Sequence, residues 1–222
     1  MNYFINDQKY IDNARTGEKG LLPEIPEKIF CNARRFYLKS EIRPYDYIFD
    51  ELKRHQDAHK DSYKSYHNLL LQLRLLNYAK DNINLDNYDY VVCFRDDIFF
   101  ENLGLNWNKI FKVASKYFFT TTYGWNKGVA DRFFVSNVKI AKASLGRIHN
   151  AIKFVKRNDY ITGEQLLYFS LSKKGIGIAT YPIKIFRVRI NLEFHKERHL
   201  IPLWRPEEVY RIVKSSIRYI TG

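Results

Sequence analysis

An arginine followed by two aspartates is the arrangement in this sequence best suited to chemistry. Arg95, Asp96 and Asp97 come directly after residues 88–94, an apolar and β-rich run that predicts a buried central strand. In open α/β sheets, ligands bind beyond the carboxyl ends of the strands. Carboxylates suit Mg²⁺ or Mn²⁺ bound to a phosphate, and an arginine can contact the same phosphate. These residues therefore predict a site for a divalent cation and a phosphorylated ligand.

The two aspartates are not equivalent in this prediction. Successive residues of an extended segment point to opposite sides, so we expect one aspartate to face the metal. Asp97 is the preferred ligand and Asp96 is the alternative. From position alone, a solvated turn at the end of the strand explains Arg95 and both aspartates equally well.

The elements that would position this site alternate between helix and strand. Residues 62–80 carry leucines at three- and four-residue spacing, which predicts a helix, and residues 117–122 and 133–135 predict strands. An apolar stripe from Leu145 to Val155 predicts a second long helix, and a third begins at Gly163. Residues 176–179 and 185–190 predict extended segments. This alternation favours an α/β fold, a three-layer domain with a mainly parallel central sheet.

The two ends of the chain are less regular. Residues 3–5 and 28–31 could each form a short strand, separated by a loop that contains glycine and proline. Residues 205–218 have the pattern of a basic amphipathic helix, which either docks on the domain or rests on an acidic membrane. Because no Gly/Ser linker divides the chain, we expect residues 1–222 to form a single domain.

The charge of the chain restricts its partners. The net charge is +13, from 37 lysines and arginines against 24 acidic residues, so the chain should attract anions. The absence of a helix-turn-helix or zinc-finger pattern argues against a nucleic-acid partner. Two cysteines, no apolar stretch of about 18 residues and no apolar signal core together predict a cytoplasmic protein.

Residues 88–100, with the sequence YDYVVCFRDDIFF, resemble a segment of certain GT-A glycosyltransferases. These are the WavE-like enzymes of lipopolysaccharide synthesis and related glycosyltransferase domains of large DNA viruses. In that family the aspartate of an R-x-D motif takes the place of the usual D-x-D metal motif. Arg95 and Asp97 match it.

Three further blocks resemble the same family, in the family's order. Residues 128–137 contain Asp131, which matches an acidic residue near the acceptor and the reacting sugar. Residues 162–167 contain Glu164 at the position of a family glutamate, and residues 186–191 resemble the family's closing segment. The resemblance covers residues 62–191. The N-terminal part is atypical, because the apolar strand and glycine loop that open the family's nucleotide pocket are not recognisable there.

The resemblance implies a GT-A-like domain that moves a sugar from a nucleotide-diphosphate donor. The donor would be a UDP-sugar, and the acceptor a hydroxyl of a glycan or a lipid-linked glycan. Asp97, with Asp96, would hold Mn²⁺ or Mg²⁺, and Arg95 and Arg189 would neutralise the phosphates.

Two carboxyl groups are candidates for the catalytic step that the resemblance implies. Asp131 would deprotonate or orient the acceptor hydroxyl. Glu164 is the second candidate for that base, or it would stabilise positive charge on the sugar.

Two other functions stay open. One is a metal-dependent nuclease in which Asp96, Asp97 and Glu164 assemble a two-metal site. The other is a non-catalytic domain that binds a sugar or a nucleotide.

Overall fold

The computed structural model describes residues 10–12, 19–21, 46–95, 98–100, 106–122, 128–183, 185–188 and 194–196. This part of the chain is an α/β protein, as predicted. Its helices are α1 (Asp46–Leu52), α2 (Lys64–Asn82), α3 (Trp107–Ala114), α4 (Val138–Leu145), α5 (Ala151–Asn158) and α6 (Gly163–Ser172). Its strands are β1 (Tyr10–Asp12), β2 (Lys19–Leu21), β3 (Tyr90–Phe94), β4 (Ile98–Phe100), β5 (Phe118–Thr121), β6 (Phe133–Asn137), β7 (Ile178–Tyr181), β8 (Ile185–Val188) and β9 (Phe194–Lys196).

The central sheet has four strands in the order β3-β6-β5-β7. Strands β3, β5 and β7 share a direction, and β6 runs opposite to them between β3 and β5. Of the three neighbouring pairs, only β5 and β7 are parallel, so the prediction of a mainly parallel sheet is wrong for the described residues. The reason is the connection before β6. A parallel neighbour needs a crossover that is usually a helix, and the described residues between β5 and β6 contain none.

Two smaller sheets accompany the central one. Strands β1 and β2 form an antiparallel pair, and β8 pairs antiparallel with both β4 and β9. Because β4 begins at Ile98, shortly after β3 ends at Phe94, the Arg95–Asp97 motif joins the central sheet to the β4-β8-β9 sheet along the chain.

Helices cover both faces of the central sheet. On one face, Phe118 and Phe134 pack with apolar residues of α4 and α6. On the other face, Phe119 and Phe133 pack with residues of α3. A third apolar cluster joins α1, α2 and α5 beside the sheet, with Leu70 as one of its fully buried members. Both faces of the central sheet are therefore buried against helices.

Strand β3 is less buried than its sequence predicts. Val92 is 41% exposed and Phe94 is 52% exposed. Within the described residues, β3 pairs with β6 alone and forms an edge of the sheet. Helix α3 contacts the start of β3, where the ring centroids of Phe111 and Tyr90 lie 4.8 Å apart. The strand itself is thus confirmed, but the prediction that it is buried and central in the sheet is wrong.

The predicted long helix through Leu145 and Val155 is also wrong as one element. Helix α4 ends at Leu145, a 3₁₀ helix follows at Arg147–Asn150, and α5 begins at Ala151. Gly146 lies at the break, and glycine is a poor helix former. The apolar stripe continues through the break because 3₁₀ and α-helices both return a side chain to the same face after three or four residues.

Several other elements agree with their predictions. The helix over residues 62–80, the strands near 117–122 and 133–135, the helix from Gly163 and the strand near 176–179 are all present. No described helix is both long enough and apolar enough to cross a membrane. The predicted strands at 3–5 and 28–31 and the tail at 205–222 lie outside the described residues.

Candidate functional site

The end of β3 and the start of β6 lie side by side. In the sheet register Phe94 is the partner of Phe133. Beyond that pair, the backbone N–H of Arg95 donates to the carbonyl oxygen of Arg132 at 3.0 Å. The antiparallel pairing thus places Arg95 next to the Asp131–Arg132 dipeptide. Two motifs that are far apart in sequence form one edge of the site.

The start of α6 completes the site. The backbone N–H of Val129 donates to the carbonyl oxygen of Glu164 at 3.1 Å. A Cβ atom at Gly128 would lie 2.3 Å from the carbonyl carbon of Glu164, and one at Gly163 would lie 2.6 Å from Oδ2 of Asp131. These two glycines allow the 128–132 loop to contact the first turn of α6, which brings Asp131 and Glu164 together.

Glu164 lies in the first turn of α6, whose N-cap is Thr162. A helix N-terminus ordinarily favours a negative charge. Here burial, followed by the charge of Asp131, raises the pKa of Glu164 to about 7, against the lowering effect of Arg132 and Arg95. Burial prevails because a charged carboxylate loses its hydration. Near neutral pH this carboxyl can therefore either accept or donate a proton.

Asp131 has a different environment, because it faces a buried arginine. Nη2 of Arg147 lies 3.5 Å from Oδ2 of Asp131, with side-chain exposures of 1% and 8%. Nη1 of Arg147 also donates to the carbonyl oxygen of Ser144 at 3.2 Å. Burial lowers the pKa of Arg147, while the charges of Asp131 and Glu164 oppose this effect. A guanidinium stays protonated in proteins, so Asp131 has a permanent counter-ion.

The two carboxyl groups therefore have different surroundings, because Asp131 forms an ion pair with Arg147 and Glu164 has a pKa of about 7. Pairs of titratable groups with contrasting environments are common where one of them transfers a proton. The neighbouring thiol of Cys93 does not compete as a nucleophile, because burial raises its pKa to about 11.

Two residues of this site were not identified from sequence. Arg132 lies within the block around Asp131, and its position next to that aspartate was the available signal. Arg147 offered a weaker signal, because it is one of two basic residues, with Lys153, in the segment from Leu145 to Val155. Its burial depends on the break between α4 and α5, which the stripe did not predict.

The predicted metal ligands Asp97 and Asp96 lie outside the described residues, as does Arg189. Among the residues that are described, no group of three or more His, Cys, Asp or Glu side chains could hold a metal ion. Asp131 is paired with Arg147 and Glu164 is partly protonated at neutral pH, so these carboxyls alone do not suit a divalent cation. A metal at this site would depend on Asp96 and Asp97, and the metal assignment stays a prediction.

A small pocket lies beside Glu164, on the side of α2. Its volume is about 90 Å³. It is bounded by the start of α2 with the loop before it, and by the turn that leads into α6. We call it the α2 pocket; its lining residues are His59, Ser65, Tyr66, Leu69, Ile161, Thr162, Gly163 and Glu164.

The chain matches no protein-family model and no curated protein. Its function is therefore inferred from the site itself and from the resemblance of its motifs.

Proposed function

We propose that this chain is a metal-dependent glycosyltransferase with a GT-A-like domain. It would move a sugar from a nucleotide-diphosphate donor, a UDP-sugar, to a hydroxyl of a glycan or lipid-linked glycan. The observation that carries this proposal is the meeting of Arg95, Asp131 and Glu164. They come from three separate blocks of the resembled family, and the fold brings them to one end of the sheet.

In this proposal the arginines bind the donor. Arg95 and Arg132 are neighbours at the β3–β6 edge, and the charges of both act on Glu164. Guanidinium groups at fixed positions stabilise the negative charge that develops on a departing diphosphate. Arg189 would add to this charge from the segment after β8.

Asp97, with Asp96 as the alternative, would hold Mn²⁺ or Mg²⁺. The metal would supply positive charge for the diphosphate and orient it. Both aspartates follow Arg95 directly in the sequence.

We assign proton transfer to Glu164 and an electrostatic role to Asp131. A base is most effective when its pKa is near the working pH, and the pKa of Glu164 is about 7. Asp131 is held by Arg147 and would orient the acceptor hydroxyl or stabilise positive charge on the sugar. Asp131 was the first candidate for the base from sequence, and its buried ion pair now favours Glu164.

The nuclease alternative receives less support from the same site. A two-metal centre needs ionised carboxylates, whereas burial and Asp131 keep Glu164 partly protonated at neutral pH. A non-catalytic binding domain differs from the proposal only in turnover, so an activity measurement separates the two.

Calorimetric titration with UDP in the presence and absence of Mn²⁺ tests the donor site. We expect binding only with Mn²⁺, no binding of duplex DNA, and loss of UDP–Mn²⁺ binding in Asp97→Ala. Asp50→Asn is the matched control, because Asp50 lies on the exposed surface of α1. The absence of UDP–Mn²⁺ binding in the parent protein would overturn the proposal.

Turnover is measured as UDP release from UDP-sugars. Glu164→Gln should keep UDP–Mn²⁺ affinity and lower transfer by about 10²-fold or more, the usual effect of removing an acid–base group. If the parent protein binds UDP–Mn²⁺ but releases no UDP with any donor and acceptor, the non-catalytic alternative replaces the proposal.

A further inference from the structure

The α2 pocket has no role in donor binding as proposed above, yet one of its walls is Glu164. Arg95 and Arg132, the proposed diphosphate contacts, do not line it. Glu164 therefore belongs both to the part of the site that contains Arg95 and Arg132 and to a separate concave surface formed by α2 and the start of α6.

The size of the pocket limits its ligand. Its volume of about 90 Å³ is well below the ~300 Å³ of the smallest pockets that enclose a drug-sized molecule. The pocket therefore suits one edge of a sugar ring better than a whole nucleotide.

Two hydroxyl groups of the pocket favour a ligand that donates hydrogen bonds. Oγ of Ser65 donates to the carboxylate of Asp61 at 2.5 Å, and Oγ1 of Thr162 lies 3.3 Å from Oε1 of Gln165, to which it donates. A hydroxyl has a single proton, so each of these two oxygens can only accept a hydrogen bond from a ligand. Oγ1 of Thr162 already accepts the backbone N–H of Gln165 and keeps one lone pair. Hydroxyl groups of a ligand are the natural complement.

Charge and shape point to the same class of ligand. The described lining residues include no lysine or arginine, and they include the acidic residue Glu164, so the pocket disfavours a phosphate. Leu69 and Ile161 add an apolar wall, which suits the C–H groups of a sugar ring.

We propose that the α2 pocket is the acceptor subsite and binds the hydroxyl-bearing edge of a neutral sugar. This inference rests on the proposed function, because it places the acceptor hydroxyl at the carboxyl of Glu164. The acceptor O–H bond breaks, and its proton goes to Glu164. The acceptor oxygen forms a bond to the reacting carbon of the donor sugar. The bond from that carbon to the diphosphate breaks, and its electron pair stays on the diphosphate oxygen.

Saturation-transfer NMR with free monosaccharides tests the pocket without any turnover. Glucose, galactose and N-acetylglucosamine are added singly at millimolar concentration, in the absence of UDP and metal. We expect a signal for at least one sugar in the parent protein. Ser65→Val should remove that signal, because it replaces the acceptor oxygen with a methyl group. Ser172→Val is the matched control, at an exposed position at the end of α6, and should retain it.

A second variant guards against a local folding defect at Ser65. Leu69→Phe fills the pocket and leaves the hydrogen bonds around Ser65 in place; circular dichroism checks the fold of each variant. The inference is overturned if the parent protein gives no signal, or if the signal persists in both Ser65→Val and Leu69→Phe.

Kinetics separate this inference from the proposed function. Ser65→Val should raise the KM for the sugar acceptor by about 10-fold, the equivalent of about 1.4 kcal/mol for one unpaired hydroxyl. The affinity for UDP–Mn²⁺ should not change, because Ser65 takes no part in the proposed donor site. An unchanged acceptor KM with intact donor binding overturns the pocket inference alone. Sugar signals that depend on Ser65 in a protein that does not bind UDP–Mn²⁺ overturn the glycosyltransferase proposal and leave the pocket as a sugar site.

Discussion

Replacing Glu164 with glutamine should make the protein more stable at alkaline pH. The pKa of Glu164 is raised from 4.5 to about 7 by burial and by the charge of Asp131. Below pH 4.5 the carboxyl is protonated in both the folded and the unfolded chain, so it does not affect stability. Between pH 4.5 and 7 the unfolded chain loses the proton more readily, and the folded state becomes progressively less stable. Above pH 7 this loss is complete.

The size of the effect follows from the pKa shift. Each pKa unit corresponds to about 1.4 kcal/mol, so the full shift destabilises the folded protein by about 3 kcal/mol at pH 8. Glutamine has nearly the same shape and carries no charge, so Glu164→Gln should recover this amount at pH 8. For a chain of this length, that gain raises Tm by roughly 6–12 °C.

Differential scanning calorimetry at pH 4.5 and pH 8 measures the gain. The Tm of Glu164→Gln should match that of the parent protein at pH 4.5 and exceed it at pH 8. Glu51→Gln is a control of opposite sign, because a hydrogen bond from Lys156 lowers the pKa of Glu51. A lowered pKa stabilises the folded state above the unfolded pKa, so Glu51→Gln should not raise Tm at pH 8.

Two outcomes would refute the assignment. If Glu164→Gln were no more stable than the parent protein at pH 8, Glu164 would not be held in its protonated form by the fold. An equal gain at both pH values would show that the substitution acts through packing and not through charge.

Three further outcomes are expected. Arg147→Met should lower the free energy of unfolding by about 3–5 kcal/mol in urea titration, because it leaves Asp131 buried without its cation; adding Asp131→Asn should restore most of this loss, and a purely additive double variant would contradict the ion pair. Gly128→Ala should cost about 1–3 kcal/mol in the same titration, since its Cβ would overlap the backbone of Glu164; an unchanged midpoint would exclude that close approach. If the tail at residues 205–222 rests on an acidic membrane and is not docked on the domain, the protein should co-sediment with anionic vesicles at low salt and deletion of these residues should abolish this; no binding at low salt, or binding that survives the deletion, would exclude the membrane role.

Local patterns were sufficient to predict most of the elements that carry the site. Helix α6 begins at Gly163 because Thr162 accepts the backbone N–H of Gln165, a capping arrangement that is readable from the sequence. Strand β6 is recognisable from its apolar, β-rich residues. The sequence therefore indicates Glu164 in the first turn of α6 and Asp131 shortly before β6.

The sheet order could not be predicted in the same way. The alternation of helices and strands indicates an α/β fold, but it does not say which strand lies beside which. Strand β6 pairs with β3 and β5 in the antiparallel direction, and this pairing alone places Arg95 against Arg132. Which strands pair with each other depends on contacts between residues that are distant in sequence. A local sequence pattern contains no information about such contacts.

The sequence by itself indicated which side chains are candidates for chemistry and which predicted elements they adjoin. Only the tertiary structure decided their charge states and partners. Glu164 titrates near pH 7 because the fold buries it beside Asp131, and Asp131 keeps a counter-ion because the chain turns Arg147 into the interior after α4. A pKa depends on burial and on charges nearby in space, and both are properties of the packed chain.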